Sequence, residues 1–121
     1  MTRKNEIRYR AAMRKKAIKI MHKLVKINAY VNKIIKDNYD VAYAIDGKVF
    51  DGTIKDEIDL PRIQQKLLKY STKVMLSTIT ICDILSFVDA EVLQCILSEI
   101  YIAVPNIRFV MQSTMKQKDT D

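Results

Sequence analysis

The first 46 residues contain neither glycine nor proline, and the whole 121-residue chain has only two of each: Gly47, Gly52, Pro61 and Pro105. A many-stranded sandwich or barrel needs a turn residue about every 8–12 positions, so that class is disfavoured. Long helices need few such breakers. The apolar fraction of 49% is ordinary for a chain that builds a core. The length suits one domain with a modest core, placed at residues 1–115, ahead of a frayed polar tail over 116–121.

The uninterrupted opening segment has helical periodicity. Met13, Ala17, Ile20, Leu24, Ile27, Val31 and Ile34 recur at alternating spacings of four and three, the seam of an amphipathic helix running from residue 3 to about 36. Ile7, Ile18, Met21, Val25 and Ile35 widen the seam into a broad apolar arc. At about 100° per residue, Lys4, Arg8, Lys15, Lys19, Lys26 and Lys33 fall opposite it, with His22 beside them. Such a helix is roughly 50 Å long. So small a body covers an arc of that length with difficulty. The seam therefore predicts projecting first turns or self-association, with a homodimer through this helix as the expectation.

After this helix, residues 37–59 carry seven acids against Lys48 and Lys55. Asp46-Gly47 between "VAYAI" and "KVF" is the signature of a type I′ turn, so a small acidic β-hairpin is expected near 40–54. Asp59 and Pro61 then mark a helix start. Leu60, Ile63, Leu67, Tyr70 and Val74 repeat at helical spacing. The β-branched "STITI" of residues 77–81 predicts a break at 76–79, with a short helix following to about 87. Asp89 is a second capping candidate, ahead of an apolar helix that Pro105 is expected to end or restart. Ile107, Val110, Met111 and Met115 mark a last helix. The expected fold is mostly α, about five helices around one core, with one small hairpin.

The charge is concentrated at one end. The net +7 divides into +9 over residues 1–26 and −2 over the remainder. A localised positive field of this kind points to an anionic partner. Lys4, Arg8, Arg14, Lys15, Lys16, Lys19, Lys23 and Lys26 are the candidate contacts to the phosphates of DNA or RNA, which they would grip without reading sequence. The competing role for the same residues is a solvated, solubilising helix face. Tyr9 and Tyr30 lie among the cations and could stack on bases, although packing at the core's edge is the favoured role for them. An acidic protein surface is the alternative partner, the chain then acting as an interaction module or inhibitor that docks its basic helix or acidic hairpin on a larger enzyme, one that could itself handle nucleic acid. An anionic membrane suits the helix less well, because its apolar side lacks Trp and Phe.

Catalytic and metal signatures are sparse. His22 is the only histidine, and no nucleophile-elbow or phosphate-loop glycine pattern occurs. Asp46-Gly47-Lys48, with Asp37 or Asp40 upstream, could be a nuclease-like carboxylate set, but the turn's need for glycine already accounts for it. No enzyme activity, cofactor or metal is expected. Cys82 and Cys95 lie in apolar surroundings without metal-ligand spacing and are expected to be buried, reduced core thiols of a cytosolic protein. The six methionines are expected mostly to fill core gaps. No stretch approaches the ~20 apolar residues of a membrane span, and lysines interrupt the N-terminus where a signal peptide would be apolar. Small size and an Ile, Lys and Asn bias would suit a viral or mobile-element accessory protein acting in the host cytoplasm.

Overall fold

In the computed structural model, which describes residues 2–114, the chain forms three long helices and one hairpin. Their order is α1 (Arg3–Asn38), β1 (Tyr39–Ile45), β2 (Lys48–Ile54), α2 (Leu60–Ile84) and α3 (Ala90–Gln112). Short 3-10 turns at Glu57–Asp59 and Leu85–Phe87 lead into and out of α2. The expected tail over 116–121 and Met115 lie outside the described residues.

Three helices replace the five expected from sequence, because neither expected break occurs. The β-branched run of residues 77–81 stays helical within α2. Ser77, Thr78 and Thr80 each donate their hydroxyl to the carbonyl four residues back, at 2.8–2.9 Å. Ser77 and Ile81 face the core. Burial and satisfied hydroxyls thus outweigh the weak local preference for a strand.

Pro105 likewise sits inside α3. Its missing N–H leaves the Tyr101 carbonyl without its helical partner, on a residue that is 65% exposed. Two turns of core contacts on either side, from Ile96 and Ala103 to Ile107 and Val110, hold the helix continuous. Interior proline costs about 3 kcal/mol; burial on one stripe offsets it.

The seam of α1 is fully used from its second third onward. Ala17, Leu24, Ile27, Val31 and Ile35 are buried against α3 chiefly and α2 secondarily. The chain therefore covers by itself most of the arc that had suggested pairing through this helix. Ile7 and Val25 remain 60% and 46% exposed. Asn28 ties α1 to α3, donating from Nδ2 to the Glu99 carbonyl at 2.9 Å and its carboxylate at 2.6 Å. The exit is sharp: the Tyr39 N–H still donates to the Ile35 carbonyl while its own backbone is already extended.

The hairpin forms where Asp-Gly predicted it. Ala44 pairs with Val49 and Ile45 with Lys48. Asp46 and Gly47 both take positive φ, 51° and 76°, as a type I′ turn requires. Two strands alone are marginal, and α3 supplies the third surface. Asn106, 1% exposed, accepts from the Val49 N–H at 2.7 Å and donates to the Gly47 carbonyl at 2.9 Å. At Gly52 the strands approach so closely that a Cβ would lie 2.7 Å from the Asp40 carbonyl oxygen.

Both cysteines are exposed, contrary to the buried core thiols expected. The buried neighbours are Ile81 and Ile96, one position away, and one position on a helix is a rotation of about 100°. Met13, Met21 and Met111 do pack on the core, whereas Met75 is 56% exposed. By length and composition α3 is apolar enough to cross a membrane, with a mean hydropathy of 1.2 over its best window, 22% of which is buried.

Candidate nucleic-acid interface

The basic end is built from good helix formers. Residues 3–16 are rich in Arg, Lys, Ala and Met. Thr2 caps them, its hydroxyl accepting from the Asn5 N–H at 3.4 Å, and Glu6 sits in the first turn, where a negative charge suits the helix dipole. Between Thr2 and Lys16 only Met13 is partly covered. The first turns thus stand clear of the core, as the long seam implied.

All eight candidate contacts, Lys4, Arg8, Arg14, Lys15, Lys16, Lys19, Lys23 and Lys26, are exposed. Lys4, Arg8, Lys15, Lys19 and Lys26 point away from the buried line through Ala17, Leu24 and Val31, with Lys16 and Lys23 on one flank. Arg14 lies on the other flank, where its Nε donates to the Asp89 carboxylate at 2.6 Å. None of the remaining seven has an ion-pair partner among the described residues; the cation paired nearby is Arg10, with Glu6 at 3.8 Å. His22 is exposed on the same outward stripe.

Both tyrosines have aromatic partners within the protein, although Tyr9 is 43% exposed. Tyr9 meets Phe87 edge-on, ring centres 5.0 Å apart, and Tyr30 lies 4.7 Å from Tyr70. The arrangement favours packing over base stacking for both. Phe87 also lies under the Arg10 guanidinium at 5.8 Å. Phe87 and Asp89, in the link between α2 and α3, thus clasp the root of the basic end. Sequence reasoning missed this clasp because Asp89 read as a helix cap. It does occupy the cap position of α3 but makes no side-chain capping bond; its carboxylate goes to Arg14 instead.

The acidic hairpin follows the opposite end of α1. A helix of 36 residues spans about 54 Å, so the hairpin cannot meet residues 3–16 of its own chain. Its nuclease-like set is also dispersed. Lys48 turns inward, 5% exposed, with Nζ 3.3 Å from the centre of the Tyr101 ring. Among the described residues no three His, Cys, Asp or Glu side chains come together as a metal site would need.

Beside the hairpin, β2 and the end of α3 border an open cleft of about 560 Å³, whose lining includes Phe50, Glu57, Arg108 and Ser113. No nucleophile–base pair is assembled there. Behind it, Tyr39 packs on Phe109 with ring centres 5.1 Å apart. Burial raises the Tyr39 pKa above 10.0, opposed by the Ser113 side chain. The Tyr39 hydroxyl is buried without a well-formed hydrogen bond, while Ser113 gives its own proton to the Phe109 carbonyl at 2.9 Å.

Comparison of this chain with protein-family models, with curated proteins and with solved structures finds no match.

Proposed function

We propose that this chain is a small, non-enzymatic nucleic-acid-binding accessory protein that grips phosphates with the basic half of α1. One observation carries the reading. Seven of the eight candidate cations, spread from Lys4 to Lys26 of α1, stand exposed with no acidic partner among the described residues. A merely solubilising face gains nothing from such concentration, whereas a polyanion rewards it through counterion release. Binding of this kind is independent of sequence, since it rests on charge at the phosphates and not on contacts to base edges.

The test is binding of purified, nuclease-treated protein to labelled single- and double-stranded DNA and RNA across a salt series, beside a variant with Lys15, Lys16, Lys19 and Lys23 changed to Glu. Six or more phosphate contacts imply an affinity loss of at least about a thousandfold between 50 and 200 mM salt. The variant should lose binding at every salt concentration while keeping its helical circular dichroism. Weak binding in both proteins, with no preference among nucleic acids, would instead assign the helix to an acidic protein surface.

A further inference from the structure

We infer that the outer face of α2 and α3 is a docking surface for a second copy of this chain. Both helices bury one stripe against α1 and the hairpin, yet both are also apolar on the side turned away from that core. Leu68, Met75 and Ile79 on α2 and Leu97 and Val104 on α3 are each between 37% and 56% exposed. Met75, Ile79 and Val104 border one groove of about 470 Å³ between the two helices, which joins the apolar sides of α2 and α3 at its centre. At ~150–200 Å² per large aliphatic side chain, the five amount to on the order of 450 Å² of exposed surface. That lies within the roughly 300–600 Å² of the largest patch on a monomer, which is often a functional one, and is a little over half of the ~800 Å² each partner contributes to a standard interface.

Three features together select a second copy as the occupant. First, the basic arc of α1 points to the opposite side of the molecule. An anionic membrane would recruit apolar and basic groups from the same side, and these two surfaces cannot touch one plane together. Second, the patch is of a size to form the apolar centre of a symmetric interface whose polar rim supplies the rest. Third, the charges bordering the face are self-complementary. Asp83 lies one turn beyond Ile79 and Arg108 one turn beyond Val104. The helices run in opposite directions, so the two charges lie on opposite sides of the Ile79–Val104 centre. Both are exposed and neither has an ion-pair partner among the described residues. A two-fold axis through that centre brings Asp83 of each copy to Arg108 of the other, an isologous contact made twice. It leaves both basic helices on the outside, so the dimer stands whatever α1 binds.

Sedimentation velocity of the full chain across the micromolar range tests this. The wild type should dimerise. Ile79→Glu, at an exposed position, should weaken dimerisation at least tenfold with unchanged circular dichroism. Asp83→Arg and Arg108→Asp should each weaken it, and the double exchange should restore it. A wild type that stays monomeric, a dimer indifferent to Ile79→Glu, or a double exchange weaker than either single variant overturns the proposal. So does a monomer that co-floats with neutral phosphatidylcholine vesicles and loses them on Ile79→Glu, which would assign the face to lipid.

Discussion

The two ends of the bundle use the same devices to opposite effect. At the basic end, an aromatic pair (Tyr9 and Phe87) and a polar clasp (Arg14 and Asp89) hold α1 to the α2–α3 link. At the hairpin end, an aromatic pair (Tyr39 and Phe109) and a polar clasp (Asn106 with Val49 and Gly47) hold the hairpin to α3. The difference is water. The Arg14 and Asp89 side chains are 55% and 57% exposed, whereas Asn106 is 1% exposed. An exposed ion pair contributes little because solvent screens it and ordering two long side chains opposes it. A buried amide that loses its partners leaves them unsatisfied in a dry site. The hairpin end is therefore where the fold is fixed, and the basic end is where charge is free to act.

The strongest way to break this contrast is in the seam that joins the two ends. Leu24 is fully buried at 0% exposure, and Leu24→Ala should lower the unfolding free energy by about 3 kcal/mol in urea titration. Asn106→Ala comes next. It strips partners from the Val49 N–H and the Gly47 carbonyl and should cost about 2 kcal/mol, with hydrogen exchange at Val49 accelerating ahead of exchange in α1. Arg14→Ala should cost less than about 1 kcal/mol. A loss as large as that of Asn106→Ala would overturn the claim that the two clasps differ by burial.

The smallest effect at neutral pH belongs to Tyr39→Phe, which keeps the ring on Phe109 and removes a hydroxyl without a well-formed bond. It should change stability by under about 0.5 kcal/mol at pH 7. Its signature is at high pH. Burial holds the Tyr39 pKa above 10.0, so the unfolded chain gives up that proton first. The contribution of Tyr39 is intact below about pH 10 and falls as pH rises above it. Stability of the Phe variant should decline less over that range, measured by urea midpoint against pH.

The parts of this architecture legible in the sequence are those set by local pattern. The 4-3 spacing from Met13 to Ile34 located α1 and its buried line, because helical geometry alone decides which side chains share a face. Asp46-Gly47 located the hairpin turn, because few other dipeptides accept two positive φ angles. The lysine positions located the exposed cations, because charge opposite a long seam has nowhere to go but water.

What failed is what packing decides. Residues 77–81 and Pro105 carry local signals against a helix, and core contacts from Ile81, Ala103, Ile107 and Val110 override them. Cys82 and Cys95 sit among apolar residues in the sequence, but a one-position offset turns them outward. The clasp of Arg14 by Asp89 joins residues 75 positions apart, and nothing local announces it. The sequence by itself determined the long basic helix and the hairpin turn, since both follow from backbone geometry and residue spacing. Only the tertiary structure decided the number of helices, the fate of the cysteines and the bare apolar face of α2 and α3. Each of these depends on which side of a helix finds a neighbour, and that is settled by burial among distant residues.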